Sequence, residues 1–170
     1  SEDDEISALL VLTESVKNGI TFTVEAGTVA NPVSVLKAFE TVGVGGTLGS
    51  WGWDVGEGPC VGKTAAEALD RQLEVLKLTS DHPLVEGWVT LVGHNLMSDE
   101  LLIEASALAK ENSTNLTFHM SPNYTDVENY LEKVGVRPIT HLQDLGVLGE
   151  HLLIAHAVHL DDYELETLLT

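Results

Sequence analysis

Along the chain, stretches with apolar side chains three or four apart alternate with short, nearly continuous apolar runs. The first pattern suits helices with one buried face, and the second suits strands covered on both faces. Residues 3–18 place Ile6, Leu9, Leu10, Leu12 and Val16 near a helical period, with acids in the first turn and Gly19 as a stop. Ile20-Thr21-Phe22-Thr23-Val24 is β-branched and aromatic and predicts a strand, with Glu25-Ala26-Gly27 as the loop after it. Asn31-Pro32 opens a helix, cap followed by proline in the first turn, whose buried face is Val33, Leu36, Ala38 and Phe39 and which Gly43 ends. Val44 to Leu48 is a glycine-rich strand running into Gly49-Ser50-Trp51-Gly52-Trp53-Asp54.

The second half repeats the alternation. Thr64 to Leu78 is amphipathic, with Ala65, Ala68, Leu69, Leu73, Leu76 and Leu78 apolar. Val85 to Val92 predicts one strand ending at Gly93-His94, and Ser98 caps a helix that runs to about Glu111. A strand over 115–119, helices over 125–134 and 139–145, a strand over 151–155 and a last helix from Asp161-Asp162 complete the chain. The order is five strands alternating with helices, with no hairpin signal between them. Such alternation makes an α/β protein with a parallel sheet and right-handed crossovers. Two architectures satisfy it: an open doubly wound sheet, or part of a (β/α)8 TIM barrel, which in full has eight strands and about 250 residues.

Composition narrows the function. Apolar residues make up 44% of the 170, enough for a sizeable core. No apolar run reaches the roughly 20 residues of a membrane-spanning helix, so no membrane partner is expected. The 27 acidic residues against 8 basic give a net charge of −19, which argues against nucleic acid and anionic surfaces as partners. Cys60 is the one cysteine, which excludes an internal disulfide and suits a cytoplasmic protein.

Candidate chemistry lies at the ends of strands. Leu116-Thr117-Phe118-His119 and Leu152-Leu153-Ile154-Ala155-His156 each end an apolar run in an imidazole, and His94 ends a third. In a parallel sheet such tips are neighbours, roughly 5 Å apart per strand step. Three in succession point to a site for a metal ion or a general base, more than any one histidine does alone. In His156-Ala157-Val158-His159 the two imidazoles would face opposite ways on a continuing strand, so His156 is the site residue and His159 a loop residue. Asp161-Asp162 reads as a helix cap rather than a ligand pair. Trp51 and Trp53 offer walls for a flat or apolar substrate. Gly62-Lys63-Thr64 lacks the phosphate-loop spacing, since Glu57 stands where the first glycine belongs.

Leu116 to Met120, Asp126 to Gly135, Arg137-Pro138, Leu145 to Gly149 and Leu152 to Asp162 resemble the amidohydrolase superfamily, in its cytosine deaminase and triazine chlorohydrolase branch. The resemblance implies a (β/α)8 barrel holding a divalent metal, zinc or iron, that activates water against C–N or C–Cl bonds of small substrates, cyclic ones included. It matches the chain to the barrel from the first helix through the helix after strand six. His119 then matches a metal ligand on strand five, and His156 the strand-six histidine that orients water and substrate. His94 matches a substrate-contacting position on strand four. The family's His-x-His on strand one and its aspartate on strand eight have no counterpart here, and Pro122 occupies the position of the glutamate that carries the proton. A segment with this donor set is expected to be weakly active or inactive alone. Its unpaired edges would favour association with a second copy. The alternative is a non-catalytic α/β binding module whose histidines are structural.

Overall fold

The computed structural model describes residues 2–57, 64–93 and 95–169, so His94, Cys60 and Gly62-Lys63 lie outside the described residues. In chain order the elements are α1 (Glu2–Lys17), β1 (Phe22–Thr23), α2 (Pro32–Val42), β2 (Gly45–Leu48), α3 (Ala65–Thr79), β3 (Val85–Gly87) and β4 (Val89–Gly93). After these come α4 (Asp99–Glu111), β5 (Leu116–Met120), α5 (Tyr124–Val134), α6 (Pro138–Asp144), β6 (Leu152–His156) and α7 (Asp162–Leu168). Polar caps set the helix starts. Asn31, Thr64, Ser98 and Asn123 each accept the amide hydrogen of the residue three positions on. Asp161 forms a reciprocal box with Glu164, as the cap reading expects.

Every strand pairing is parallel, in the orders β1-β2-β3 and β4-β5-β6. The run expected as one strand over 85–92 is broken at Trp88, whose N–H donates to the Leu48 carbonyl at 2.9 Å. It is therefore one path that changes neighbours, pairing with β2 before the break and with β5 after it. Strand order in space follows strand order in sequence throughout. A doubly wound sheet reverses that order at a switch point, and a barrel does not. The architecture is a partial (β/α)8 barrel.

Gln72 explains the break. A continued ladder would send Thr90 N–H to the Ser50 carbonyl, as Trp88 goes to Leu48 and Val92 goes to Gly52. Instead the fully buried Gln72 amide of α3 stands between them: its Oε1 accepts from Thr90 N at 3.0 Å and its Nε2 donates to Ser50 O at 2.8 Å. One side chain replaces one rung and satisfies both backbone groups, which in a buried sheet have no water to turn to.

The core lies between the outer face of the strands and the helices. Leu116, Phe118 and Met120 of β5 pack with Leu101, Leu102 and Ala105 of α4. By the two-residue alternation of a strand, Thr117 and His119 occupy the opposite, inner face. On α2 the buried residues are Val35, Leu36, Ala38 and Phe39, whereas Val33 is exposed because it lies in the first turn, off the stripe facing the sheet. On α1 only Leu12 is buried, and Ile6, Leu10 and Val16 face outward. Exposed apolar residues also line both edges of the partial barrel: Ile20, Phe22 and Val24 beside β1, and Leu153, Leu165 and Leu168 beside β6.

Candidate active site

His119 is the fourth residue of β5, and His156 is the last of β6, paired in register with Met120. Alternation alone would separate their rings. Leu152 and Ile154 pack outward against the helix-side core, so His156, two residues on, should point outward as well. The backbone overrides this. His156 has φ 77° and Ala157 φ 50°, both left-handed, and the ring of His156 lies 5.3 Å from that of His119, centroid to centroid.

Left-handed backbone recurs along this edge. Five non-glycine residues among those described have positive φ, and four of them, Asn95, Ser121, His156 and Ala157, follow or close strands β4, β5 and β6. Such conformations cost about 1–3 kcal/mol each and persist where surrounding bonds enforce them. Here the enforcing bonds join the two loops: Ala157 N–H donates to Met120 O, and the amides of Val158 and His159 both donate to Ser121 O. The Ser121 amide in turn donates to Asp126 of α5 at 3.1 Å.

The His119 ring is held by its own hydrogen bond. Nδ1 lies 2.9 Å from the Val92 carbonyl, and a carbonyl only accepts, so Nδ1 carries the proton and Nε2 the lone pair of the neutral ring. This is the tautomer a metal-ligating imidazole requires at Nε2. On the same inner face, the Oγ1 of Thr117 and the Oγ of Ser121 are buried with no hydrogen-bond partner among the described residues.

Trp51 and Trp53 sit on the extension of β2 that runs beside β4, with ring centroids 5.4 Å apart. The extension is tied down at several points. Trp51 N–H donates to Val29 O, Asp54 and Val55 donate to Leu96 O, and the Asp54 carboxylate accepts from both the amide and the hydroxyl of Ser98. Both tryptophans therefore occupy the carboxyl edge that carries the histidines. His94 lies outside the described residues.

Two imidazoles make a partial donor set. Among the described residues no three His, Cys, Asp or Glu side chains cluster as metal ligands, and a catalytic zinc takes about three protein ligands plus water. The tautomer of His119 and its spacing to His156 fit a share in such a site, and Pro122 supplies no carboxylate beside it.

Residues 2–170 match the sequence model of the Amidohydrolase family. The chain belongs to this family. A 5-methylthioadenosine/S-adenosylhomocysteine deaminase of Thermoanaerobacter pseudethanolicus is 30% identical over 145 residues, 79% of this chain and 31% of that protein. One from Syntrophobacter fumaroxidans is 39% identical over 71 residues, 42% of this chain and 16% of that protein. Among solved structures, a zinc-bound adenosine deaminase of Xanthomonas campestris superposes with a TM-score of 0.83 at 18% identity, over 96% of this chain and 36% of its own. A zinc complex of atrazine chlorohydrolase from Arthrobacter aurescens TC1 gives 0.78 at 19% identity, over 97% and 40%. These superpositions show the barrel fold. The chain spans about a third or less of the curated relatives described here.

For this amidohydrolase segment, sequence reasoning located the histidine tips and missed what aims them. Nothing in Ala155-His156-Ala157 signals left-handed backbone, since neither residue is glycine or asparagine, the usual occupants of that region. Asp54 and Ser121 were missed for a related reason, since their roles arise from contacts between loops.

Proposed function

We propose that this chain is the central part, strands two to six, of a metal-dependent amidohydrolase that uses water to cleave C–N or C–Cl bonds of small molecules. One observation carries the proposal: His119 and His156, 37 positions apart in sequence, meet at 5.3 Å on the carboxyl edge of a partial barrel. That edge is where barrel enzymes place their chemistry. His119 would hold the metal through Nε2, with the Val92 carbonyl fixing the ring. A bound divalent zinc or iron supplies Lewis acidity and lowers the pKa of water. His156, at the end of its left-handed turn, orients that water and the substrate by hydrogen bonding. Trp51 and Trp53 wall the pocket, and His94 contributes a substrate contact from the strand before.

Pro122 bears on the reaction. With no acid at that position, the proton of the attacking water must be taken by another group, and His156 is the titratable side chain beside His119. The zinc-bound solved structures and the deaminase names of the relatives support a hydrolytic, metal-assisted reading.

The test is calorimetric titration of zinc into the full chain and into His119→Ala. A single site per chain, weakened at least about tenfold by the substitution, supports the reading. Affinity unchanged by His119→Ala contradicts it and favours a second reading. In that reading the Nδ1 bond to Val92 makes His119 a structural histidine of a non-catalytic binding module.

A further inference from the structure

Beyond the two strand tips, a second pair of rings stands on the same edge. Tyr124, the first residue of α5, and His159, three residues beyond His156, have ring centroids 4.2 Å apart at 43°. The loops carrying them are those already stitched together, with His159 N–H bound to Ser121 O. The pair is therefore the next storey out from His119 and His156 along the same two chain segments.

His159 is fixed from its other side too. Its carbonyl accepts from Arg137 Nη2 at 2.9 Å, and Arg137 is locked to the fully buried Glu164 carboxylate at 2.7 Å. Glu164 also accepts from the amides of Ile139 and Asp161. A buried charge with this many partners resists rearrangement, so the backbone under His159 is rigid. Tyr124 in turn follows Asn123, whose side chain caps α5. Despite this anchoring, Tyr124 is 72% exposed. A fixed aromatic ring with one face against an imidazole and the rest open to solvent is a stacking platform that lacks its second partner.

We infer that Tyr124, backed by His159, is the platform on which the planar heteroaromatic part of a substrate stacks while its reacting bond lies at His119 and His156. This rests on the hydrolase reading for the reaction, but not for the binding. Stacking recognises a π face rather than a hydrogen-bond pattern, so the platform selects flat rings and tolerates varied ring substituents.

Adenine is the probe, titrated into the full chain by calorimetry, with ribose as the non-planar control. Tyr124 is exposed, so its substitution leaves the core intact, and circular dichroism checks the fold. Tyr124→Ala is expected to weaken adenine binding by at least about fivefold, the low end for loss of one aromatic stack. Tyr124→Phe, which keeps the ring, stays within about twofold of the parent. Equal affinity in Tyr124→Ala and the parent overturns the inference, as does a parent chain that binds no adenine or binds ribose equally well. Zinc binding lost in His119→Ala alongside adenine binding independent of Tyr124 sinks the platform and leaves the metal reading. The reverse pattern sinks the metal reading and leaves the platform.

Discussion

Gly93 closes β4 at φ +96°, and a Cβ built on it would lie 2.0 Å from the His119 carbonyl oxygen. Any side chain there meets both a backbone strain of about 1–3 kcal/mol and a clash with the strand that carries the candidate ligand. Gly93→Ala is therefore expected to lower stability by at least about 2 kcal/mol in urea unfolding, and a change below about 0.5 kcal/mol would contradict the close packing of β4 on β5. His151 makes a different kind of prediction. Its ring accepts or donates at 2.8 Å from Ser106 Oγ, and burial, helped by the Lys110 charge, lowers its pKa from the ordinary 6.5. A lowered histidine favours the neutral ring in the fold. Its contribution is complete above the unfolded value and is lost as pH falls through it, because the unfolded chain takes the proton first. Between pH 7.5 and about 5.5 the urea midpoint should fall, and fall less in His151→Gln. Equal slopes would show that His151 is not the responsible group. At this scale the sequence exposed the chemistry-bearing residues, because a histidine at the end of an apolar run is visible in one dimension. It did not expose Tyr124 or the aim of His156, since both depend on loops that meet only in the fold.

Elements were largely legible, for physical reasons that differ by type. The Asn31-Pro32 and Ser98 helix starts follow from local capping chemistry, which needs no tertiary information. The run over 85–93 was legible as extended but not as divided, because the division comes from Gln72, a polar residue on the buried side of a distant helix. Its helical pattern drew attention to Leu73 and Leu78, while Gln72 and Val75 take the fully buried positions. Gln72→Leu fills the same space but leaves the Thr90 amide and the Ser50 carbonyl without the bridging amide. Each unsatisfied buried group costs about 1–3 kcal/mol, so a loss of about 2–4 kcal/mol in urea unfolding is expected. Thr90 Oγ1, already 2.8 Å from Ser50 O, compensates only in part. A stability within about 0.5 kcal/mol of the parent would mean that the strands close the gap themselves.

For the whole molecule, the alternation of strands and helices gave the parallel α/β class but not the choice between open sheet and barrel. Strand order in space decides it, and the sequential order β1 through β6 belongs to a barrel. The partial barrel brings Trp51, Trp53, His119 and His156 to one edge from three strands. The charge of −19 fits a small-molecule site better than a nucleic-acid surface, and no described helix is long and apolar enough to cross a membrane. All of this gives the histidine pair its meaning, because a pair that acts together must be energetically coupled. Zinc titration of the parent chain, His119→Ala, His156→Ala and the double variant measures that coupling directly. The account predicts that each single loss weakens zinc by about tenfold or more, and that the double variant is less weak than the product of the two, since both remove the same site. Two independent, multiplicative losses, or none, would contradict it.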